Sequence, residues 1–268
     1  MDGMEFSDEQ IERYARHIIL PEVGGTGQAK LLDSRVLVIG AGGLGSPLIL
    51  YLAAAGIGTI GVVDDDVVAL SNLQRQVLHD SERVGVTKVE SAAASVQRIN
   101  PEVTLVPHKT RLVTDNALDL LADYDVVVDG SDNFPTRFLV NDAARLAGKT
   151  LVSAAILRFE GQLSTFKSHL GGDNPCYRCI FPAPPAPGLV PSCAEGGVLG
   201  ALAGTLGSLQ AVEVIKELLG IGDSMSGNLL IFDALNTTFR KVKVRPDPAC
   251  ALCSAQATIH DLSAHAGN

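Results

Sequence analysis

One short run of residues limits what this chain can fold into more than any other. The apolar segment Val36-Leu37-Val38-Ile39 runs directly into Gly40-Ala41-Gly42-Gly43-Leu44-Gly45, and a largely apolar stretch continues to Ala55. This is G-x-G-x-x-G between a strand and a helix, the context in which the motif carries meaning. Glycines let the backbone turn tightly and let a phosphate approach the helix N-terminus. A second apolar strand, Thr59 to Val63, ends in Asp64. An acid at that place can accept hydrogen bonds from ribose hydroxyls. These features predict a nucleotide site built from Gly40, Gly42, Gly43, Gly45 and Asp64.

The next residues separate this site from that of a dehydrogenase. Ser71-Asn72-Leu73-Gln74-Arg75-Gln76 places an amide and a guanidinium just beyond the acid, and Lys88 follows at the start of the next helix. Cationic groups suit a polyphosphate that is being cleaved. A nicotinamide ring calls instead for an apolar pocket. The chain as a whole has a net charge of −9, which speaks against a general nucleic-acid binder but leaves room for a local basic site.

Periodicity extends the pattern. Ser7 and Gln10 have capping-box spacing ahead of a stripe formed by Ile11, Tyr14, Ala15, Ile18 and Ile19. Helices are predicted at 44–55, 86–99, 116–121 and 135–147, with strands at 103–106 and 126–128 between them. This β-α alternation implies a Rossmann-like, doubly wound α/β sheet, parallel in its N-terminal half. After Thr150 the strands 151–155, 162–166, 229–232 and 239–244 lack intervening helices except for a long apolar one at 197–219, so antiparallel pairing is expected there. The proline-rich run Phe181 to Pro191 cannot be regular structure. We expect a single domain: N-terminal helices to 34, a nucleotide-binding part over 35–155, a second part over 156–253, and a mobile tail over 254–268. With 268 residues it can bury a large core. No apolar run is long enough to span a bilayer, and the acidic N-terminus lacks a secretory core, so a cytoplasmic location is expected.

Four of the five cysteines form two C-x-x-C pairs, Cys176/Cys179 and Cys250/Cys253. Each pair suits one metal ion, and two pairs widely separated in sequence complete a tetrahedral sulfur site, favouring structural zinc over a redox dithiol. The fifth, Cys193, admits two readings: a small buried residue at a helix entrance, or a nucleophilic thiol on a loop. Asp129-Gly130-Ser131-Asp132-Asn133 follows a buried strand. It is either a place for Mg²⁺ against phosphates or an acidic turn in which Asp132 caps the next helix. Arg16, Arg137 and Arg158 read locally as solvated helix-face cations, and His79 and His108 as surface or cap residues.

Taken together, Arg13-Tyr14-Ala15-Arg16-His17, GAGGLGS, SNLQRQ, Lys88, DGSDN, CYRC and CALC resemble the MoeB/ThiF/HesA family of E1-like adenylyltransferases. The likeness covers nearly the whole chain. The opening RYARHIILPEVGGTGQAKL and closing FDALNTTFRKVKVRPDPACALC are most similar to its molybdopterin-synthase branch. The resemblance implies that the C-terminal Gly-Gly carboxylate of a ubiquitin-like sulfur carrier, MoaD-like or ThiS-like, attacks the α-phosphorus of ATP. A persulfide sulfur then displaces AMP and leaves a thiocarboxylate. It also implies that Asp64 holds the ribose, although Asp65 and Asp66 adjoin it. Asn72, Arg75 and Lys88 then contact the phosphates, Asp132 binds Mg²⁺, the four cysteines bind Zn²⁺, and Arg16 reaches the partner's site in a homodimer. Some members use a cysteine in the region of Cys193 for a covalent link to the carrier. No rhodanese-like extension is visible, so a separate persulfide donor is expected. A nicotinamide-dependent oxidoreductase would leave Asn72, Arg75, Lys88 and the paired cysteines unexplained. A non-catalytic carrier-binding scaffold and a tRNA-modifying branch of the superfamily also compete with this reading. The acidic charge balance, SNLQRQ and the paired C-x-x-C motifs weigh against the tRNA-modifying branch.

Overall fold

The computed structural model describes residues 6–186, 188–189 and 196–266. A mixed sheet of 8 strands runs through the molecule in the order β3-β2-β1-β4-β5-β6-β7-β8. Its parallel half comprises β1 (Arg35–Ile39), β2 (Thr59–Val63), β3 (Thr104–His108), β4 (Val126–Asp129) and β5 (Thr150–Leu157). The rest, β6 (Glu160–Phe166), β7 (Asn228–Asp233) and β8 (Thr238–Lys243), is antiparallel, as the loss of helical connections predicts.

Strand alternation loads both faces of the parallel half with apolar side chains. Val36, Val38, Ile60 and Val62 share a core with α3 (Gly45–Ala55), α4 (Lys88–Ile99) and the C-terminal part of α8 (Gly200–Leu219). Leu37, Ile39, Val63 and Val127 face α5 (Thr114–Ala122) and α6 (Phe134–Leu146). β1, β2, β4 and β5 are therefore covered on both sides, the condition a parallel sheet requires, and only the edge strand β3 is partly exposed.

The N-terminal helix α1 (Asp8–Ile18) has its capping box: the Ser7 hydroxyl accepts from Gln10 N–H, and the Gln10 side chain accepts from Ser7 N–H. Its apolar stripe is only partly used. Tyr14 is buried and its hydroxyl accepts from Asn100, whereas Ile11 and Ile19 are exposed. A second helix, α2 (Gly24–Asp33), follows, opened by Gly24 in a left-handed conformation.

The segment after Cys253, expected to be mobile, lies folded against α6. Leu262 joins the core beneath it, and the buried His265 Nε2 lies 2.8 Å from Asp142 Oδ2. The reason is electrostatic as well as apolar. Asp142 sits fully inside, and Arg178 in the short helix α7 (Tyr177–Ile180) pairs with it at 2.7 Å. Burial alone would raise the pKa of Asp142, but hydrogen bonds from His265 and Arg178 outweigh it and hold the carboxyl below its ordinary range.

Small residues at the start of α8 set how closely it approaches α3. A Cβ at Gly207 would lie 2.3 Å from the Leu44 carbonyl oxygen, whereas one at Gly204 meets nothing within 4 Å. Both positions gain helix propensity on substitution, about 1 kcal/mol. Gly204→Ala is therefore expected to leave stability unchanged or raise it. Gly207→Ala is expected to lower it by about 1–3 kcal/mol through overpacking. Paired thermal melts of the two variants check this, and equal shifts would refute the close-approach reading.

Candidate active site and metal centre

The sheet reverses direction of connection between β1 and β4, the place where open α/β sheets form a ligand crevice. A cavity of about 520 Å³ lies there, walled by the loops after β1, β2 and β4 and by the β5–β6 hairpin. Gly40 takes φ of +94°, which turns the chain sharply off the end of β1. Gly45 packs so tightly that a Cβ would sit 1.9 Å from the Gly40 carbonyl oxygen. Gly45 therefore shapes the loop from behind, while Gly40, Gly42 and Gly43 line the cavity. Among the described residues no group accepts a hydrogen bond from the N–H of Gly42 or Gly43. These donors lie just ahead of the N-terminus of α3, an arrangement suited to an anion.

Asp64 is fixed at the end of β2. Its Oδ2 accepts from Ala41 N–H at 2.8 Å and its Oδ1 from Asp66 N–H at 2.9 Å. Of the three consecutive acids it alone is tied to the glycine loop. Lys88 opens α4, where Thr87 is the N-cap. A cation in the first turn opposes the helix dipole. Lys88 is nonetheless buried there, held by Asp66 at 2.7 Å with Asp64 Oδ1 at 3.9 Å, and it lines the cavity. Asp64, Asp65 and Asp66 bring carboxylate oxygens within 4.8 Å of one another, but Asp64 and Asp66 are already engaged by these internal partners.

Arg75 reaches the cavity from the turn after a short 3-10 segment, with Nη1 donating to the Ser71 carbonyl at 3.2 Å. Gln76, the last residue of SNLQRQ, also lines the wall. It is buried, and its Oε1 has no partner, a feature that sequence reasoning left aside although the hexapeptide contains it. Asn72 is not on the cavity wall; its carbonyl instead accepts from Arg75 and Gln76 N–H and shapes the turn. Asp132 is exposed on the wall beyond β4. It is not the helix cap: Asn133 is, accepting from Thr136 N–H at 2.9 Å. Arg16 is exposed on α1 and does not line this chain's cavity. Cys193 lies outside the described residues.

Arg137 is not a solvated cation. It is buried beneath the site, where its Nε lies 3.3 Å from Asp129 Oδ2 and its Nη2 donates to the carbonyls of Ser131 and Ala154. Burial works against its charge, but Asp129 and Tyr177 together outweigh this and the pKa rises. Arg158 is exposed, in the β5–β6 turn rather than on a helix, with φ of 54°. Nor are the histidines at the surface. His108 is half-buried against the Tyr124 hydroxyl, and His79 is buried behind the glycine loop, so desolvation depresses both pKa values.

Away from the cleft, the two C-x-x-C pairs meet. Neighbouring sulfurs are 3.4 to 3.8 Å apart, and all four lie within 4.8 Å of one another. A tetrahedral thiolate site with bonds of about 2.3 Å needs sulfurs about 3.8 Å apart, so the donor set fits such an ion. Hydrogen bonding among the four thiols holds Cys179 and Cys250 down and pushes Cys176 and Cys253 up, the behaviour of sulfurs close enough to share protons.

The fold and cleft define a doubly wound α/β protein with a crevice at its switch point and a thiolate cluster outside that crevice. Residues 14–252 match the ThiF family, and the chain belongs to that family. It is 55% identical over 257 residues to the adenylyltransferase and sulfurtransferase MOCS3 of Bos taurus, covering 96% of this chain but 56% of that protein. It is 51% identical over 261 residues to the sulfur carrier protein adenylyltransferase of Thermus thermophilus, covering 97% and 96%. It is 54% identical over 244 residues to the SAMP-activating enzyme E1 of Haloferax volcanii, covering 91% and 89%. The chain thus spans little more than half of some relatives and nearly all of others. The crystal structure of E. coli MccB shares the fold, with a TM-score of 0.78 at 21% identity, covering 96% of this chain and 75% of that one. Among the described residues no helix is long and apolar enough to cross a membrane.

Metal analysis of the purified chain is expected to find one tightly held thiophilic ion. Cys176→Ser is expected to lose it and to melt at lower temperature, because a structural thiolate site contributes folding free energy. A metal-free chain of unchanged stability would refute the assignment.

Proposed function

We propose that this chain adenylylates the C-terminal Gly-Gly carboxylate of a ubiquitin-like sulfur carrier at the expense of ATP. The observation that carries the proposal is the convergence of Arg75 and Lys88 on the cavity that the glycine loop and Asp64 also line. Two cations facing free loop N–H groups suit a polyphosphate whose charge must be managed as it is cut. The names of the Thermus thermophilus and Haloferax volcanii relatives, which match this chain over most of their length, support the same reading.

In this reading Asp64 accepts from the ribose hydroxyls and the glycine-loop N–H groups receive phosphate oxygens. A carrier carboxylate oxygen forms a bond to the α-phosphorus. The bond from that phosphorus to the bridging oxygen breaks, and pyrophosphate leaves with the electron pair. Arg75 and Lys88 neutralise the charge that develops, and positioning supplies much of the remaining acceleration. Asp132, exposed on the cavity wall, would hold Mg²⁺, which neutralises phosphate charge when bound. The thiolate cluster would hold Zn²⁺; four thiolates leave no open coordination position, so its part is structural. The carrier we favour is MoaD-like; co-purification distinguishes it from a ThiS-like carrier. A persulfide donor completes the sulfur transfer.

Arg75→Ala and Lys88→Ala are each expected to reduce carrier-dependent ATP–pyrophosphate exchange by about two decades, the effect of losing roughly 3 kcal/mol of transition-state stabilisation. Near-normal exchange in both variants, with the fold intact, would remove them from the chemistry.

We further propose a homodimer in which Arg16 serves the partner's cleft. Its exposure on α1 beside the exposed apolar residues Ile19 and Leu20 supports this. Arg16→Ala and Asp132→Ala are each expected to be inactive alone. Mixed and exchanged, they should recover about a quarter of wild-type activity, because about half the dimers are mixed and each of those has one intact site. No recovery after verified subunit exchange would refute the trans role.

A further inference from the structure

Behind the glycine loop, His79 is buried and makes two hydrogen bonds. Its Nε2 lies 2.9 Å from the Ala41 carbonyl oxygen, and its Nδ1 lies 2.8 Å from Ser91 Oγ. A carbonyl only accepts, so Nε2 carries the proton. Nδ1 of the neutral ring then accepts from the Ser91 hydroxyl. Ser91 is held in turn by Arg83, whose Nη1 donates to its carbonyl at 2.8 Å and approaches its hydroxyl at 3.5 Å. Ser91 belongs to α4, the helix that Lys88 opens.

Ala41 is thereby clamped from two sides, its N–H on Asp64 and its carbonyl on His79. The peptide joining Ala41 to Gly42 is planar and trans, so its carbonyl and its N–H point in opposite directions. With the carbonyl turned toward buried His79, the Gly42 N–H is turned away from it. Gly42 lines the cavity, and its N–H has no acceptor among the described residues. A loop of glycines supplies little stiffness of its own. The bond from His79 therefore sets the orientation of one N–H in the nucleotide cleft.

We infer that His79 is a positioning residue for nucleotide binding: by donating to the Ala41 carbonyl it fixes the Ala41–Gly42 peptide so that the Gly42 N–H faces an incoming phosphate. It couples that donor to Lys88 through Ser91, so that loop and lysine are held in one frame. This inference rests on the reading of the cleft as an ATP site.

Two substitutions that remove the ring separate positioning from packing. The amide nitrogen of glutamine can take the place of Nε2, whereas that of asparagine takes the place of Nδ1 and falls short of Ala41. ATP affinity of the full chain, measured by calorimetry, is expected to stay near wild type in His79→Gln and to weaken about tenfold in His79→Asn, the effect of one hydrogen bond to an anion-binding loop. In pyrophosphate exchange the KM for ATP should rise in His79→Asn while the KM for the carrier stays unchanged. Equal affinity in both variants, whether retained or lost, would overturn the inference, as would a weaker glutamine variant. Should either variant fail to fold, Ser91→Ala provides the test: losing the hydroxyl that anchors Nδ1 and holds the ring against Ala41 should weaken ATP binding several-fold, and unchanged binding would overturn the inference. Failure of the wild-type chain to bind ATP in the same experiment would instead refute the cleft assignment.

Discussion

The register of the parallel strands is the constraint on which the site depends. Ile39 at the end of β1 pairs with Val63 on one side and Asp129 on the other, and Asp129 pairs with Ser153. Three neighbouring strands, β2, β1 and β4, therefore end at one level, while β5 runs on beside them to Leu157. The glycine loop, Asp64 and the Ser131–Asp132 turn emerge together above the sheet. A one-residue slip would exchange the two faces of a strand and send its buried set to the wrong core. The apolar alternation that separates Val36 and Val38 from Leu37 and Ile39 thus fixes the geometry of the cleft as well as the stability of the sheet.

Charge in this cleft is organised in layers. Beneath the floor, Asp129 and Arg137 neutralise one another and tie the end of β4 to α6 and β5 through Ser131 and the Ala154 carbonyl. At the wall, Lys88 is set in an unfavourable place on its helix and is held there by Asp64 and Asp66. A buried ion pair contributes little net stability, but it fixes geometry and is costly to break singly. The deeper pair accordingly reads as framework, and the shallower one as a cation held ready beside a place where negative charge would arrive.

The C-terminal region follows a different logic. β8 pairs on one side only and is exposed along its length, and the segment beyond it has little regular structure. It is anchored at two points instead. One is the meeting of Cys250 and Cys253 with Cys176 and Cys179, and the other is the burial of Leu262 and His265 at α6. Arg178 lies between Cys176 and Cys179 and also pairs with Asp142, so the two anchors share one short helix.

Much of this was legible in the residues themselves. Local order follows from local chemistry: the capping box at Ser7, the glycine loop, the strand ending in Asp64 and the paired C-x-x-C spacing each need only neighbours in sequence to be recognised. The change from parallel to antiparallel pairing was legible too, because antiparallel strands need no crossover helix. Tertiary structure decided what depends on partners distant in sequence. Burial of Arg137 requires Asp129 on another element, and the docking of the tail requires Asp142, which no spacing connects to His265. Asn133 rather than Asp132 became the helix cap because backbone direction, not residue type, decides which side chain meets the first free N–H groups. His79 read as a surface or cap residue because its partners, Ala41 and Ser91, are brought to it only when the loop after β1 and α4 pack together. Sequence determined the kinds of groups available and the elements that carry them. The fold decided which of those groups meet, since only packing brings remote side chains within hydrogen-bonding range.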